Sequence, residues 1–247
     1  MPRPSDIFEN VQNDLRANLG AVRKKIERAA SLAGRNTDKI KLVAVSKTHP
    51  AAVLIEAIEA GINTFGENKV QEAESKIADV GRDSAEWHLI GHLQSNKARK
   101  AVQLFDVIHS IDSMELATRL ERICVEEDRR ELSVLVQVDL AGEDSKSGVP
   151  EGDLAQVVEY LRLCTRLKLN GLMVLPPYFD EAERARPFFK RLRELRDELA
   201  REKVFGHGDG ELSMGMSHDF EIAIEEGATI VRIGTAIFGE RSTGSDE

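Results

Sequence analysis

Between residues 40 and 233 the chain alternates short runs of apolar and β-branched residues with longer stretches whose apolar positions recur every three or four residues. The short runs read as buried strands and the longer stretches as amphipathic helices. Strands are predicted over 40–46, 62–66, 86–90, 106–110, 132–140, 169–174, 211–214 and 229–233, and helices over 51–60, 68–79, 95–104, 113–130, 151–167, 181–203 and 218–226. Eight strands with helices between them, and no linker rich in Pro, Gly or Ser, predict one α/β domain closed as a (β/α)8 TIM barrel rather than an open doubly wound sheet. The 247 residues suit that expectation, since such barrels take ~250.

Ahead of the first strand, Ser5 is placed to cap a long helix whose apolar positions Ile7, Val11, Leu15, Leu19, Val22 and Ile26 share a face, with Gly34 as its stop. It is expected as an extra N-terminal element flanking the barrel. Within 181–203, Phe188, Leu192, Leu195 and Leu199 share a face beside Phe189, and Pro187 belongs in the first turn or kinks the helix. The whole of 1–247 reads as a single domain with a core over 7–240 and a polar tail over 241–247.

Charge narrows the range of partners. There are 43 acidic and 34 basic side chains, a net charge of −9, and the two signs are interspersed, which argues against a general nucleic-acid or anionic-membrane surface. Cys124 and Cys164 fall in predicted helices with no second cysteine nearby, so they read as packing residues in a reducing compartment. No apolar run approaches the ~18 residues of a membrane span, and no signal-like segment opens the chain. The expectation is a soluble cytoplasmic protein.

The chemistry concentrates where strands end. The run Leu42-Val43-Ala44-Val45-Ser46 stops on Lys47, which a barrel would place at its C-terminal mouth. A lysine there reads either as a solvated terminator or as a Schiff-base amine, and the second role needs partial burial or cationic neighbours. After the last two predicted strands come Leu212-Ser213-Met214-Gly215-Met216-Ser217 and Arg232-Ile233-Gly234-Thr235-Ala236. Barrels often hold phosphate at this place, with backbone N–H groups and a helix N-terminus converging on the anion. Gly215 and Gly234 would allow close approach, and Ser217 and Thr235 would add hydroxyls, although Ser217 equally reads as a simple N-cap.

Arg232 sits inside an apolar strand and needs an acceptor, either a carboxylate or a ligand heteroatom. It shares a side of the strand with Gly234. Asn68 follows the second strand. His88 and His92 are four apart, but Gly91 and the strand end between them argue against a shared zinc-binding helical face. Gln137 and Asp139 share a strand face. The Ser145-Lys146-Ser147-Gly148 loop reads as an ordinary loop, or alternatively as a phosphate contact.

Taken together, Leu42-Val43-Ala44-Val45-Ser46-Lys47, Phe65-Gly66-Glu67-Asn68, Trp87-His88-Leu89-Ile90-Gly91-His92-Leu93-Gln94-Ser95-Asn96-Lys97, Ser213-Met214-Gly215-Met216-Ser217 and Arg232-Ile233-Gly234-Thr235 make the chain resemble the pyridoxal 5′-phosphate homeostasis protein family, single-domain relatives of the alanine racemase barrel. The resemblance runs from about residue 7 to residue 240 and implies a barrel like that of fold-type III pyridoxal-phosphate enzymes. It implies an internal aldimine with pyridoxal 5′-phosphate (PLP) on Lys47, phosphate held by Ser217, Gly234 and Thr235, Arg232 beside the pyridine nitrogen, and Asn68 lining the pocket. Lys69 stands where many relatives have Tyr.

The implied role is that of a cofactor carrier or buffer in vitamin B6 and amino-acid homeostasis, monomeric, with apo PLP-dependent enzymes as partners. An arginine keeps its proton, so it disfavours a protonated pyridine ring and weakens the electron sink that carbanion chemistry needs. The related racemases take an opposing Tyr with the help of a separate C-terminal domain, and neither Tyr160 nor Tyr178 is an obvious replacement from sequence. The rivals are a weak PLP-dependent amino-acid racemase and a sugar-phosphate lyase that uses Lys47 without a cofactor.

Overall fold

The computed structural model describes residues 4–142 and 147–239, with residues 4–13 described in backbone only. Eight parallel strands close on one another: β1 (Lys41–Val45), β2 (Thr64–Glu67), β3 (Glu86–Leu89), β4 (Val107–Ile111), β5 (Leu132–Asp139), β7 (Leu167–Met173), β8 (Glu211–Ser213) and β9 (Ile230–Ile233). Closure comes from β1 pairing with β9 and β4 with β5. A two-residue strand not predicted from sequence, β6 (Val149–Pro150), pairs with the end of β5. The fold is a (β/α)8 TIM barrel, as the alternation predicts.

The helices α2 (Ala51–Glu59), α3 (Val70–Val80), α4 (Ala98–Leu104), α5 (Met114–Glu126), α6 (Leu154–Leu163), α7 (Arg186–Arg201) and α8 (Phe220–Glu225) surround it, and a single turn, α9 (Thr235–Phe238), follows β9. Trp87, Phe65, Phe105 and Phe189 are fully buried beneath this layer. Helix ends move where the backbone decides. The stretch predicted as helix over 151–167 stops at Leu163 because Cys164 is extended (φ −66°, ψ 141°) and β7 begins at Leu167. Ser95 opens a 3₁₀ turn, and α4 starts three residues later. Pro187 lies in the first turn of α7, where its missing N–H costs nothing. The buried face of α7 centres on Phe189, with Phe188 half-buried and stacked on Phe179.

The N-terminal helix α1 (Pro4–Leu32) already includes Ser5, so that residue is not its cap. It buries Leu15, Leu19, Val22 and Ile26 and packs on α8 and α9. Its end is set by Gly34, whose φ of +64° lets the Gly34 and Arg35 N–H groups return to Ser31 and Ala30. The contributions expected of Ile7 and Val11, the Ser145-Lys146 half of the loop before β6, and the polar tail lie outside the described residues. No helix among the described residues is long and apolar enough to cross a membrane.

Candidate functional site

The C-terminal mouth opens into a cavity of about 520 Å³, and Lys47, Asn68, Ser217, Arg232, Gly234 and Thr235 all line it. The parallel pairing brings them together. Val43 pairs with Arg232 across β1 and β9, so the segments that follow these adjacent strands, carrying Lys47 and Gly234, leave the barrel at the same end.

Lys47 is held by its neighbours rather than by its own contacts. Ser46 Oγ donates to Glu67 Oε1 at 2.6 Å, and Lys76 Nζ donates to Ser46 O at 2.7 Å and to both Glu67 oxygens at 2.8 and 3.0 Å. This buried triad fastens the tip of β1 to β2 and α3. Burial pushes the Glu67 carboxyl up, opposed by the Lys76 ammonium and by hydrogen bonds from Lys76 and Ser46. On the other side, Thr48 has φ +69°, a conformation a β-branched residue adopts only when its surroundings impose it. The half-buried Lys47 therefore projects from a backbone fixed on both sides, and its amine makes no ion pair or hydrogen bond among the described residues.

Across the cavity, Ser217 does not cap α8, whose N-cap position is Asp219. Its hydroxyl instead accepts the N–H groups of Gly234 and Ala236 at 3.3 and 3.4 Å. Those N–H groups, the Ser217 hydroxyl and the exposed Thr235 hydroxyl form one polar corner. Because α9 is only one turn long, any anion there would be held by individual N–H groups rather than by a helix dipole. The two glycines serve packing. A Cβ on Gly215 (φ +91°) would fall 2.6 Å from the Ala223 Cβ, and one on Gly234 would meet the Val45 carbonyl at 3.2 Å. Gly215 itself does not line the cavity, contrary to the expectation of close approach to an anion.

Arg232 is only 2 % exposed. Its Nη1 donates to Ser213 Oγ at 2.6 Å and its Nη2 to the Val174 carbonyl at 3.0 Å. The acceptors are neutral, and no carboxylate lies within salt-bridge distance among the described residues. Burial lowers its pKa to about 10, partly offset by Asp219, so it stays charged at neutral pH. The other polar residues singled out from sequence go elsewhere. Gln137 donates to the Ser147 carbonyl, Asp139 accepts the N–H groups of Ala141 and Gly142 as a loop former, and His88 and His92 turn to different partners, His109 and Asp112. No cluster of three or more potential metal ligands occurs among the described residues. Tyr178, set aside from sequence, lines the cavity beside His218, with ring centroids 5.7 Å apart.

Sequence reading missed the Ser46–Glu67–Lys76 triad, the left-handed Thr48 and a buried His88–His109 pair behind Arg232. The available signal was polar side chains at inward-facing positions of apolar strands. Burial holds His88 below the ordinary imidazole value of 6.5 and His109 well below it, and burial with Lys76 also lowers His49. A group with a depressed folded pKa stabilises the fold above its unfolded pKa, and that contribution is lost as pH falls through the folded value. Melting temperature is therefore expected to fall from about pH 7 to about pH 5, before most carboxylates titrate. Glu86, lowered from 4.5 to about 2 by contact with His88 and Lys41, adds a later loss below 4.5. A flat profile over the upper range would show that these histidines are not held neutral.

Comparison with known proteins gives this geometry its context. The family model described as alanine racemase, N-terminal domain, matches residues 17–242. The pyridoxal phosphate homeostasis protein of Aquifex aeolicus (strain VF5) is 44% identical over 223 residues, covering 90% of this chain and 96% of that protein. The chain belongs to the pyridoxal phosphate homeostasis protein family. The member from Escherichia coli (strain K12) is likewise 44% identical, over 238 residues, covering 93% of this chain and 97% of its own. Among solved structures, PipY of Synechococcus elongatus PCC7942 with PLP bound superposes with a TM-score of 0.75 at 42% identity, covering 87% of this chain and 100% of that chain. The barrel agrees with that membership.

Proposed function

We propose that this protein binds PLP reversibly in the C-terminal cavity and serves intracellular vitamin B6 and amino-acid homeostasis by holding the cofactor and passing it to apo PLP-dependent enzymes. The observation that carries the reading is the gathering of an amine with no partner among the described residues, a buried guanidinium and a corner of N–H and hydroxyl groups around one space of about 520 Å³. An aldehyde, a ring nitrogen acceptor and a phosphate are complementary to those three. In this reading Lys47 condenses with the aldehyde, losing water to form a Schiff base. Arg232 donates to the ring nitrogen, Asn68 lines the ring, and Ser217, Gly234 and Thr235 take the phosphate. The relatives named pyridoxal phosphate homeostasis protein and the PLP bound to PipY support it.

When bound, the cofactor supplies an electrophilic aldehyde and a conjugated ring. Arg232, which cannot accept a proton from that ring, keeps it a poor electron sink, and this favours storage over turnover. Borohydride reduction of the PLP-loaded protein followed by peptide mapping is expected to place the label on the peptide carrying Lys47, and Lys47→Ala should lose both label and visible absorbance. Label on another lysine would refute the assignment. The presence of Tyr178 on the cavity wall favours one second reading, a weak amino-acid racemase. Lys47- and Tyr178-dependent turnover of L-amino acids would select it over the carrier.

A further inference from the structure

Behind Arg232 a line of polar groups crosses the barrel interior. Arg232 Nη1 donates to Ser213 Oγ at 2.6 Å, Ser213 Oγ lies 2.9 Å from His109 Nδ1, and His109 Nε2 lies 2.8 Å from His88 Nδ1. His88 Nε2 is 3.1 Å from Glu86 Oε1, at contact distance but out of line for a hydrogen bond. Glu86 in turn binds Lys41 Nζ through both oxygens, at 2.9 and 2.8 Å. Ser213, His109 and His88 are fully buried, whereas Glu86 is part-exposed in a separate cavity of about 690 Å³ at the N-terminal mouth. The line thus joins the two ends of the barrel through β9, β8, β4 and β3. Val43, Leu135 and Ile230 form a small buried apolar cluster of their own, with Val107 packed against it.

The donors have one consistent arrangement. A guanidinium only donates, so the Ser213 oxygen accepts from Arg232 and its single hydrogen must go to His109 Nδ1. The neutral His109 ring then carries its proton on Nε2 and donates to His88 Nδ1, which leaves the His88 proton on Nε2, facing the Glu86 carboxylate. The opposite tautomers would strand the Ser213 hydrogen and aim a lone pair at a carboxylate. Every dipole therefore points the same way, from a cation at one mouth to an anion at the other, and aligned bonds of this kind polarise one another. The line is not a proton conduit, because arginine does not release its proton.

We propose that His109 and His88 are positioning residues that orient the Arg232 guanidinium through Ser213, and that the charge of Glu86 at the far mouth is felt at the PLP ring through this line. The inference rests on the reading that Arg232 faces bound PLP. Its first test does not use the cofactor. In ¹⁵N-histidine-labelled protein without PLP, long-range ¹H–¹⁵N correlations are expected to show both His88 and His109 as neutral Nε2–H tautomers, and an Nδ1–H or cationic form of either ring would overturn the inference. The second test compares visible spectra of the PLP-loaded protein. Glu86→Gln should shift the band with the bound stoichiometry unchanged, and Glu86→Asp, which keeps the charge, should restore it. A band unmoved by Glu86→Gln would overturn the transmission. Absence of any band in the unaltered protein would instead sink the PLP reading and the inference with it, while leaving the tautomer result to stand by itself.

Discussion

Replacing Lys76 with methionine is expected to lower unfolding free energy by about 3–5 kcal/mol, because it leaves a carboxylate buried without its counter-ion. Glu67 is 0 % exposed, its carboxylate oxygens bind only Lys76 and Ser46 among the described residues, and burial already pushes its pKa up. Deprived of the ammonium, Glu67 should take up a proton, so the deficit of the variant relative to the natural protein should be smaller at mildly acidic pH than at pH 8. The pair itself is a different matter from its breakage. Lys76→Met combined with Glu67→Gln removes both charges, and should recover much of the loss. Denaturant unfolding of the two variants checks this, and a single-variant loss below about 1 kcal/mol would place the pair among exposed, weakly coupled ones. Removal of Lys76 also frees the Ser46 carbonyl, so the backbone leading into Lys47 should loosen even where the barrel survives.

The barrel was legible because hydrophobic period is a local signal, and β1, β5 and β9 announce themselves as apolar runs bounded by polar turns. Ends were less legible, since they depend on which N–H finds a carbonyl. Nothing in Cys164 itself foretells that the chain extends there rather than continuing α6. The site divides along the same line. Lys47, Ser217, Arg232, Gly234 and Thr235 follow or end strands, and strand ends of a barrel share a mouth, so their meeting in one cavity follows from topology. What sequence could not supply was pairing between side chains of different strands. Lys76 lies on a helix thirty residues beyond Ser46, and His109 meets Ser213 across more than a hundred residues, so neither partnership leaves a trace in spacing. Ser217 shows the cost of a local reading. A serine before an acidic helical turn looks like a cap, yet its hydroxyl is drawn to the N–H groups that follow β9.

Those N–H groups make Ser217→Asp the sharpest probe of the anion corner. A carboxylate at this position can accept the Gly234 and Ala236 N–H groups as the hydroxyl does, so the fold should tolerate it. It would also fill the corner with a fixed negative charge. Placing a phosphate beside it costs several kcal/mol of like-charge repulsion, and at about 1.4 kcal/mol per tenfold this predicts PLP affinity weakened by at least about 100-fold. Pyridoxal, which has the same aldehyde and ring but no phosphate, should bind the variant and the natural protein alike. The ratio of the two affinities therefore isolates the phosphate interaction from the Lys47 and Arg232 contacts. Ser217→Ala, which removes one hydroxyl and leaves the N–H groups free for the ligand, should change that ratio far less. Titration of both compounds against the three proteins decides the matter, and equal weakening of PLP and pyridoxal by Ser217→Asp would move the phosphate out of this corner and the cofactor's orientation with it.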